Sequence, residues 1–340
     1  MEHDKAIISV IMSVYNTKLQ YLNIAVQSIL QQTYPYFEFI IIDDGCDEEC
    51  AHFLQSIGDK RVILIRNPEN YGLTKSLNIG LQRARGKYIA RMDADDRSYP
   101  QRLEKQYDYM EQHPEIAILG CWVKEGSRVN KCCGSVSTKW RYARMLFDNV
   151  GIYHPSAFIR TDFLKENHLF YDEMFKKAQD FELWSRSLLK GYMYVFPQVL
   201  LEYRIHDGQI SCYGSKEQER FNILTRRNML KLLEVQLDPD EERQFAHMNT
   251  SCMSPESVIG LFDKILHANQ EKKLFEQRFL RYELETKWIR FLLQAAGTEK
   301  RKWLRGRYAR TLLWPGYYVY MLYIAWCKQD FLHHNRESVK

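Results

Sequence analysis

Residues 87–96 read Lys87-Tyr88-Ile89-Ala90-Arg91-Met92-Asp93-Ala94-Asp95-Asp96. A run with strand character passes directly into three carboxylates within four residues. Like charges this close repel, so the cluster is costly to build unless something neutralises it. Oxygen-only ligands suit Mg²⁺ or Mn²⁺. A solvated turn or a helix cap would also use aspartates here, and spacing alone leaves both readings open.

The flanking sequence supplies the frame. Residues 7–14 (IISVIMSV) are apolar and β-branched, as in a buried parallel strand. Tyr15-Asn16-Thr17 breaks the run, and Leu22, Ala25, Val26, Ile29 and Leu30 then recur at helical spacing, stopping before Pro35. Further strands are predicted over 37–42 and 62–65, and further helices over about 48–56 and 73–84. Gly86 ends the last helix, and the fourth strand runs into the acidic cluster. Four strands alternating with helices argue for an α/β protein with an open, mostly parallel sheet flanked by helices.

In such a sheet, ligands bind beyond the carboxyl ends of the strands. Tyr15-Asn16, Asp43-Asp44, residues 67–72 and Asp93 to Asp96 follow strands one to four, so all four polar turns fall on one edge. That favours a nucleotide site. Neither G-x-G-x-x-G after the first strand nor G-x-x-x-x-G-K-[ST] anywhere is present to cradle phosphates. A metal held by Asp93 and Asp95 would neutralise a diphosphate instead.

Composition narrows the class. With 45% hydrophobic and 27% charged residues over 340 positions, the chain is globular, neither disordered nor membrane-embedded. Its net charge of +5 is too mild to point to nucleic acid. The eight cysteines include Cys46/Cys50 and Cys132-Cys133, but no second pair stands at zinc-finger spacing. The sequence shows no leader peptide and no apolar run of the ~18–20 residues that span a bilayer, so free thiols in the cytoplasm are expected.

Taken together, "SVIMSVYN", "SILQQTYPYFEFIIIDDG", "NPENYGLTKSLNIGLQRARGKYIARMDADD", "PQRLEKQ", "HPSAFIR", "AQDFELWSR" and "YRIHDGQIS" resemble the inverting family 2 glycosyltransferases of GT-A fold, over about residues 7–211. The order and spacing of the segments make the resemblance specific. It implies that Tyr15, Asn16, Asp43 and Asp44 hold the nucleotide base and ribose, with Asp44 accepting the uracil N3–H. Asn70, Gly72 and Lys75 would lie beside the nucleotide, although Lys75 also reads as an exposed helix lysine. In the acidic motif, Asp95 would ligate Mn²⁺ or Mg²⁺. Asp93, with Ala94 beside it, would meet the ribose or a metal-bound water, and Asp96 would lie nearby.

His206 is implied as a second metal ligand, and Asp180 as the base that deprotonates an acceptor hydroxyl. On its own, Asp180 reads equally as a helix N-cap. Glu182 and His154 would shape the sugar or acceptor pocket, and Trp184 would either stack on a sugar or pack in the core. Cys46 departs from the family's usual serine or threonine. No Q-x-x-R-W segment follows Asp180, which implies single-sugar transfer and not processive synthesis.

The catalytic domain is expected over 1–214 and a helical region over 215–340. Apolar positions mark helices at 221–233, 258–266 and 280–292. A basic run from Lys300 to Arg310 then precedes an aromatic stretch from Leu312 to Trp326. The segment 298–330 suits an anionic membrane surface, at the inner face of the plasma membrane, or packing on its own core or a second subunit as a homo-oligomer. The expected reaction is transfer from a UDP-sugar donor to a glycan or lipid-linked acceptor in bacterial surface-polysaccharide synthesis. The competing reading is a non-catalytic sugar-nucleotide or glycan-binding component of an assembly complex.

Overall fold

The computed structural model describes residues 6–130, 138–149, 152–206, 216–246 and 255–294. The expected membrane-surface segment at 298–330 and Asp207-Gly208-Gln209 lie outside them. In chain order the elements are β1 (Ile8–Val14), α1 (Leu19–Leu30), β2 (Phe37–Asp43), α2 (Glu48–Gln55), β3 (Val62–Arg66), α3 (Leu73–Arg83) and β4 (Tyr88–Asp93). There follow β5 (Arg97–Ser98), α4 (Arg102–Gln112), β6 (Ile116–Glu125), β7 (Arg128–Asn130), α5 (Thr138–Met145), a 3₁₀ turn at His154–Ser156, β8 (Phe158–Arg160), α6 (Thr161–Glu166), α7 (Gln179–Ser187) and β9 (Tyr192–Tyr203). The last of the described elements are α8 (Lys216–Leu232), α9 (Pro239–Ala246), α10 (Pro255–Lys272) and α11 (Gln277–Gln294).

Nine strands form one sheet in the order β3-β2-β1-β4-β8-β6-β9-β5, with β7 on β6. The four strands read from the sequence pair only in parallel with one another. Beyond β4 the sheet is mixed, because β8 enters antiparallel to both β4 and β6. Strands β1 and β2 are apolar on both faces and almost wholly buried, as a sheet covered by helices on each side requires. Helix α1 buries Leu22, Ala25, Val26 and Ile29 against that sheet, which is why the 3.6-residue period in this stretch was so clear.

Strand order reverses between β1 and β4, the point where an open α/β sheet leaves a crevice at its carboxyl edge. Ser13 pairs with Asp93 and Val14 with Asp43, so the ends of β1, β2 and β4 stand side by side there.

The chain divides into two compact units, one of residues 1–141 with 147–225 and the other of 142–146 with 226–340. In the second unit, α10 buries Val258, Leu261, Phe262 and Ile265, within the apolar positions read over 258–266. Helix α11 is less one-sided than its leucine spacing suggests. It buries Leu280, Leu284 and Trp288 but also Glu283, Thr286 and Lys287. At the end of α8, Leu232 is 46% exposed, and Met229, Leu230 and Leu233 take the buried positions. No described helix is long and apolar enough to cross a membrane.

Candidate active site

Two acidic turns flank the crevice. After β2, Asp43 and Asp44 are both 1% exposed. Asp43 Oδ1 accepts the Cys46 amide at 2.9 Å, and its other oxygen lies 3.4 Å from Arg66 Nε. Asp44 accepts three hydrogen bonds: Asn67 Nδ2 at 2.7 Å, the Tyr71 amide at 2.9 Å and the Gly72 amide at 3.0 Å. It therefore organises the segment 67–72. Gly45 makes the close approach between turn and segment possible. Its φ is +77°, and a Cβ there would lie 2.7 Å from the Asn70 amide nitrogen. Cys46 Sγ donates to the Val14 carbonyl at 3.3 Å.

Around this turn, Asn16 takes a left-handed conformation at φ 45° and its Oδ1 accepts the Asp47 amide at 2.9 Å. Asn70 Oδ1 accepts the Gly72 amide at 2.8 Å, and Gly72, at φ +86°, opens α3. Lys75 lies with its Nζ 3.7 Å from the centroid of the Tyr71 ring, so it is not a freely solvated helix lysine. Tyr15, half exposed, stands at the end of β1.

The turn after β4 is built differently. Asp93, Asp95 and Asp96 each offer a carboxylate oxygen, all within 4.8 Å of one another. Ala94 between them is buried. Arg91, itself buried, makes an ion pair with Asp93. Asp96 is fully buried; its Oδ1 accepts the Arg204 amide at 2.9 Å, and its Oδ2 meets no hydrogen-bond donor among the described residues. Burial holds the Asp96 carboxyl well above its ordinary range, and Asp93 and Asp95 push it further. Burial also raises Asp93; Arg91 opposes the shift, while Asp95 and Asp180 add to it.

Three converging carboxylates, one of them with an undonated buried oxygen, fit a hard divalent cation. They do not fit a simple solvated turn.

The segment after β9 lies over this cluster. His206 Nε2 donates to Asp95 Oδ2 at 2.8 Å, and Arg204 Nε donates to the Asp95 carbonyl at 2.7 Å. Strand β9 delivers it there by pairing with β5, Arg97 against Glu202 and Ser98 against Leu201.

Asp180 sits in the first turn of α7, but Ala178, in a left-handed conformation, holds the cap position. The simple N-cap reading therefore fails. Asp180 Oδ2 accepts Asn149 Nδ2 at 3.1 Å. Burial raises the Asp180 carboxyl, against the opposing pull of the Phe181 amide, Asn149 and Arg91. Asp180 and Asp93 are close enough for the charge of Asp180 to raise Asp93.

Three other predicted residues have structural partners. Arg186 engages both carboxylate oxygens of buried Glu182, at 2.6 and 2.7 Å, and donates to the Phe170 carbonyl at 2.6 Å. That pair ties α7 to the preceding loop and occupies Glu182. Trp184 is fully buried and donates from Nε1 to the Ile152 carbonyl at 3.2 Å, so the core reading holds and stacking on a sugar is ruled out. His154 is buried, with Nε2 2.7 Å from the Tyr171 hydroxyl, and burial followed by nearby Arg91 keeps it neutral.

Sequence reasoning missed three participants. Arg204 stood inside the quoted "YRIHDGQIS" segment but drew no role. Asn149 and Tyr21 carried no signal, because their partners Asp180 and Arg204 are far away in sequence.

The glycosyl transferase family 2 profile matches residues 9–166, which include both acidic turns. An uncharacterized glycosyltransferase of Methanocaldococcus jannaschii is 34% identical over 240 residues, 68% of this chain and 81% of its own length. The amylovoran biosynthesis glycosyltransferase AmsE of Erwinia amylovora is 30% identical over 207 residues, covering 58% of this chain and 75% of AmsE. Residues 1–349 of S. aureus TarS, solved in complex with UDP-GlcNAc, share the fold with a TM-score of 0.59 at 18% identity, over 84% of this chain and 90% of that one. The chain belongs to glycosyl transferase family 2.

Proposed function

We propose that this protein transfers a single sugar from a UDP-sugar to a glycan or lipid-linked acceptor, with inversion at the anomeric carbon and dependence on Mn²⁺ or Mg²⁺. The observation that carries the reading is the convergence of Asp93, Asp95 and Asp96 at the end of β4, with Asp180 near enough to raise Asp93. The S. aureus TarS structures with UDP-GlcNAc and with UDP support a uridine nucleotide as donor. The likeness to the amylovoran biosynthesis glycosyltransferase AmsE supports a role in surface-polysaccharide synthesis.

In this account Asp95 and His206 would hold the cation, Asp93 would orient the ribose or a coordinated water, and Asp96 holds the Arg204 amide. A bound cation supplies positive charge to the departing diphosphate. Tyr15 offers an exposed ring to the base, and Asp43 and Asp44 fix the segments that surround it. Because the oxygens of Asp44 already accept three internal donors, its first duty is to shape the base pocket; at most one lone pair on Oδ2 remains for uracil N3–H. Asp180 takes the proton from the acceptor hydroxyl. Its raised affinity for protons suits a general base, provided it is ionised at the working pH. Attack from the face opposite the diphosphate then inverts the centre.

We further place the reaction at the inner face of the plasma membrane, on the basic and aromatic character of 298–330. The test is a panel of UDP- and GDP-sugars assayed for transfer and donor hydrolysis, with Mn²⁺ and with chelator. Metal-dependent turnover of a UDP-sugar supports the reading. Binding of UDP and Mn²⁺ without any turnover would favour the non-catalytic alternative.

A further inference from the structure

The acidic turn is braced from a side that none of the expected roles includes. Helix α1 is stitched to the chain just beyond Asp96. Ser28 Oγ accepts the Ser98 amide at 3.0 Å, Gln32 Nε2 donates to the Tyr99 carbonyl at 2.8 Å, and Gln32 Oε1 accepts the Leu103 amide at 2.9 Å. Strand β5 then pairs with β9, which carries the chain back to Arg204 and His206. One contact closes this ring of elements. The half-buried Tyr21, in the first turn of α1, presents its ring to the Arg204 guanidinium, 4.3 Å from the ring centroid, and to the His206 imidazole, 5.4 Å between centroids. Lys18 Nζ stands 5.9 Å from the same centroid.

We infer that Tyr21 is a positioning residue: its ring holds Arg204 and His206 so that the segment after β9 stays closed over the Asp95-Asp96 turn. Arg204 is the lever. Its side chain has one face on Tyr21 and its Nε on the Asp95 carbonyl, while its backbone N–H satisfies Asp96 Oδ1. A cation stacked on an aromatic face loses little side-chain freedom when it then makes a directional hydrogen bond. Without the ring, Arg204 loses the face it stacks on and His206 loses its aromatic neighbour, so both are held less firmly beside Asp95. Tyr21 would thereby hold the site ready for a cation before donor arrives. This last consequence rests on the proposed metal reading, whereas the closure of the segment does not.

Two measurements separate those layers. In the metal-free chain, hydrogen exchange at residues 204–206 reports whether the segment is closed. Tyr21→Leu, which keeps bulk but removes the ring, should accelerate it about tenfold, and Tyr21→Phe, which keeps the ring, should leave it near wild type. Unchanged exchange in Tyr21→Leu would overturn the inference. Calorimetric titration with Mn²⁺ should then show affinity weakened about three- to tenfold in Tyr21→Leu and restored in Tyr21→Phe. Equal affinity in all three chains would refute the positioning role at the metal site. Wild type that binds no Mn²⁺ would remove the metal reading itself, and the exchange arm would still decide whether Tyr21 holds the segment. Should Tyr21→Leu fail to fold, Arg204→Met tests the same stack from the other side. Faster exchange at Ile205 and His206 supports the inference, and no change overturns it.

Discussion

The two acidic turns at the carboxyl edge of the sheet have similar sequences and opposite chemistry. Asp44, after β2, is buried with three donors directed at its oxygens. Asp96, after β4, is equally buried but has one oxygen that meets no donor among the described residues, and two further carboxylates beside it. A buried carboxylate satisfied by backbone amides is structural, because removing it strands those amides. A buried carboxylate crowded by its own kind is destabilised in its charged form, which a proton or a cation relieves. The two turns differ less in the count and spacing of their aspartates than in the balance of donors around them.

The largest effect that would break this contrast is on activity. Asp95→Ala should lower transfer at least about a thousandfold while the melting temperature stays near wild type, as expected when charge stabilisation is lost at the reacting centre. Asp180→Asn keeps the hydrogen bond geometry to Asn149 but removes the base, and should cost about a hundred- to ten-thousandfold in kcat. Near-wild-type turnover of either purified variant would contradict its assigned role.

Stability sharpens the same contrast at smaller magnitude. Asp44→Ala leaves the Tyr71 and Gly72 amides and the Asn67 side chain without their acceptor, a loss of about 2–4 kcal/mol. In a unit of this size the melting temperature should fall by roughly 5–10 °C. Asp96→Asn keeps an acceptor for the Arg204 amide and removes one crowded charge, so the metal-free chain should gain about 1 kcal/mol. Thermal melts in chelator distinguish the two; a loss of stability in Asp96→Asn comparable to Asp44→Ala would erase the distinction.

The smallest effect concerns His154. Burial depresses its proton affinity, so in the folded state it stays neutral where the unfolded chain takes up a proton. Its contribution is full above about pH 6.5, the ordinary histidine value, and is lost as pH falls below it, by up to ~1.4 kcal/mol per pH unit. His154→Gln should flatten the decline in denaturant midpoint between pH 6.5 and 5. An unchanged slope would mean that other groups govern acid stability.

Much of this arrangement is legible in the sequence. The four parallel strands and their helices follow from β-branched runs and 3.6-residue spacing, because each element carries its own pattern in a short stretch of chain. The placement of Asp43, Asp44, Asn70 and Asp93 to Asp96 on one edge follows from that alternation alone. The mixed half of the sheet was not legible, since β6, β8 and β9 pair across long separations and Phe158–Arg160 is only three residues long. Nor could spacing tell that Glu182 spends its charge on Arg186, a pair that looks like any i,i+4 match on a helix. The clamp of Arg204 on Asp95 and Asp96 joins residues more than a hundred positions apart, which no local pattern encodes.

The most direct test of the central claim is calorimetric titration of UDP into wild type and Asp95→Ala, each in Mn²⁺ and in chelator. The account requires that Mn²⁺ strengthen UDP binding to wild type by at least about tenfold, and that Asp95→Ala show no such gain. Equal UDP affinity for wild type with and without Mn²⁺ would contradict it.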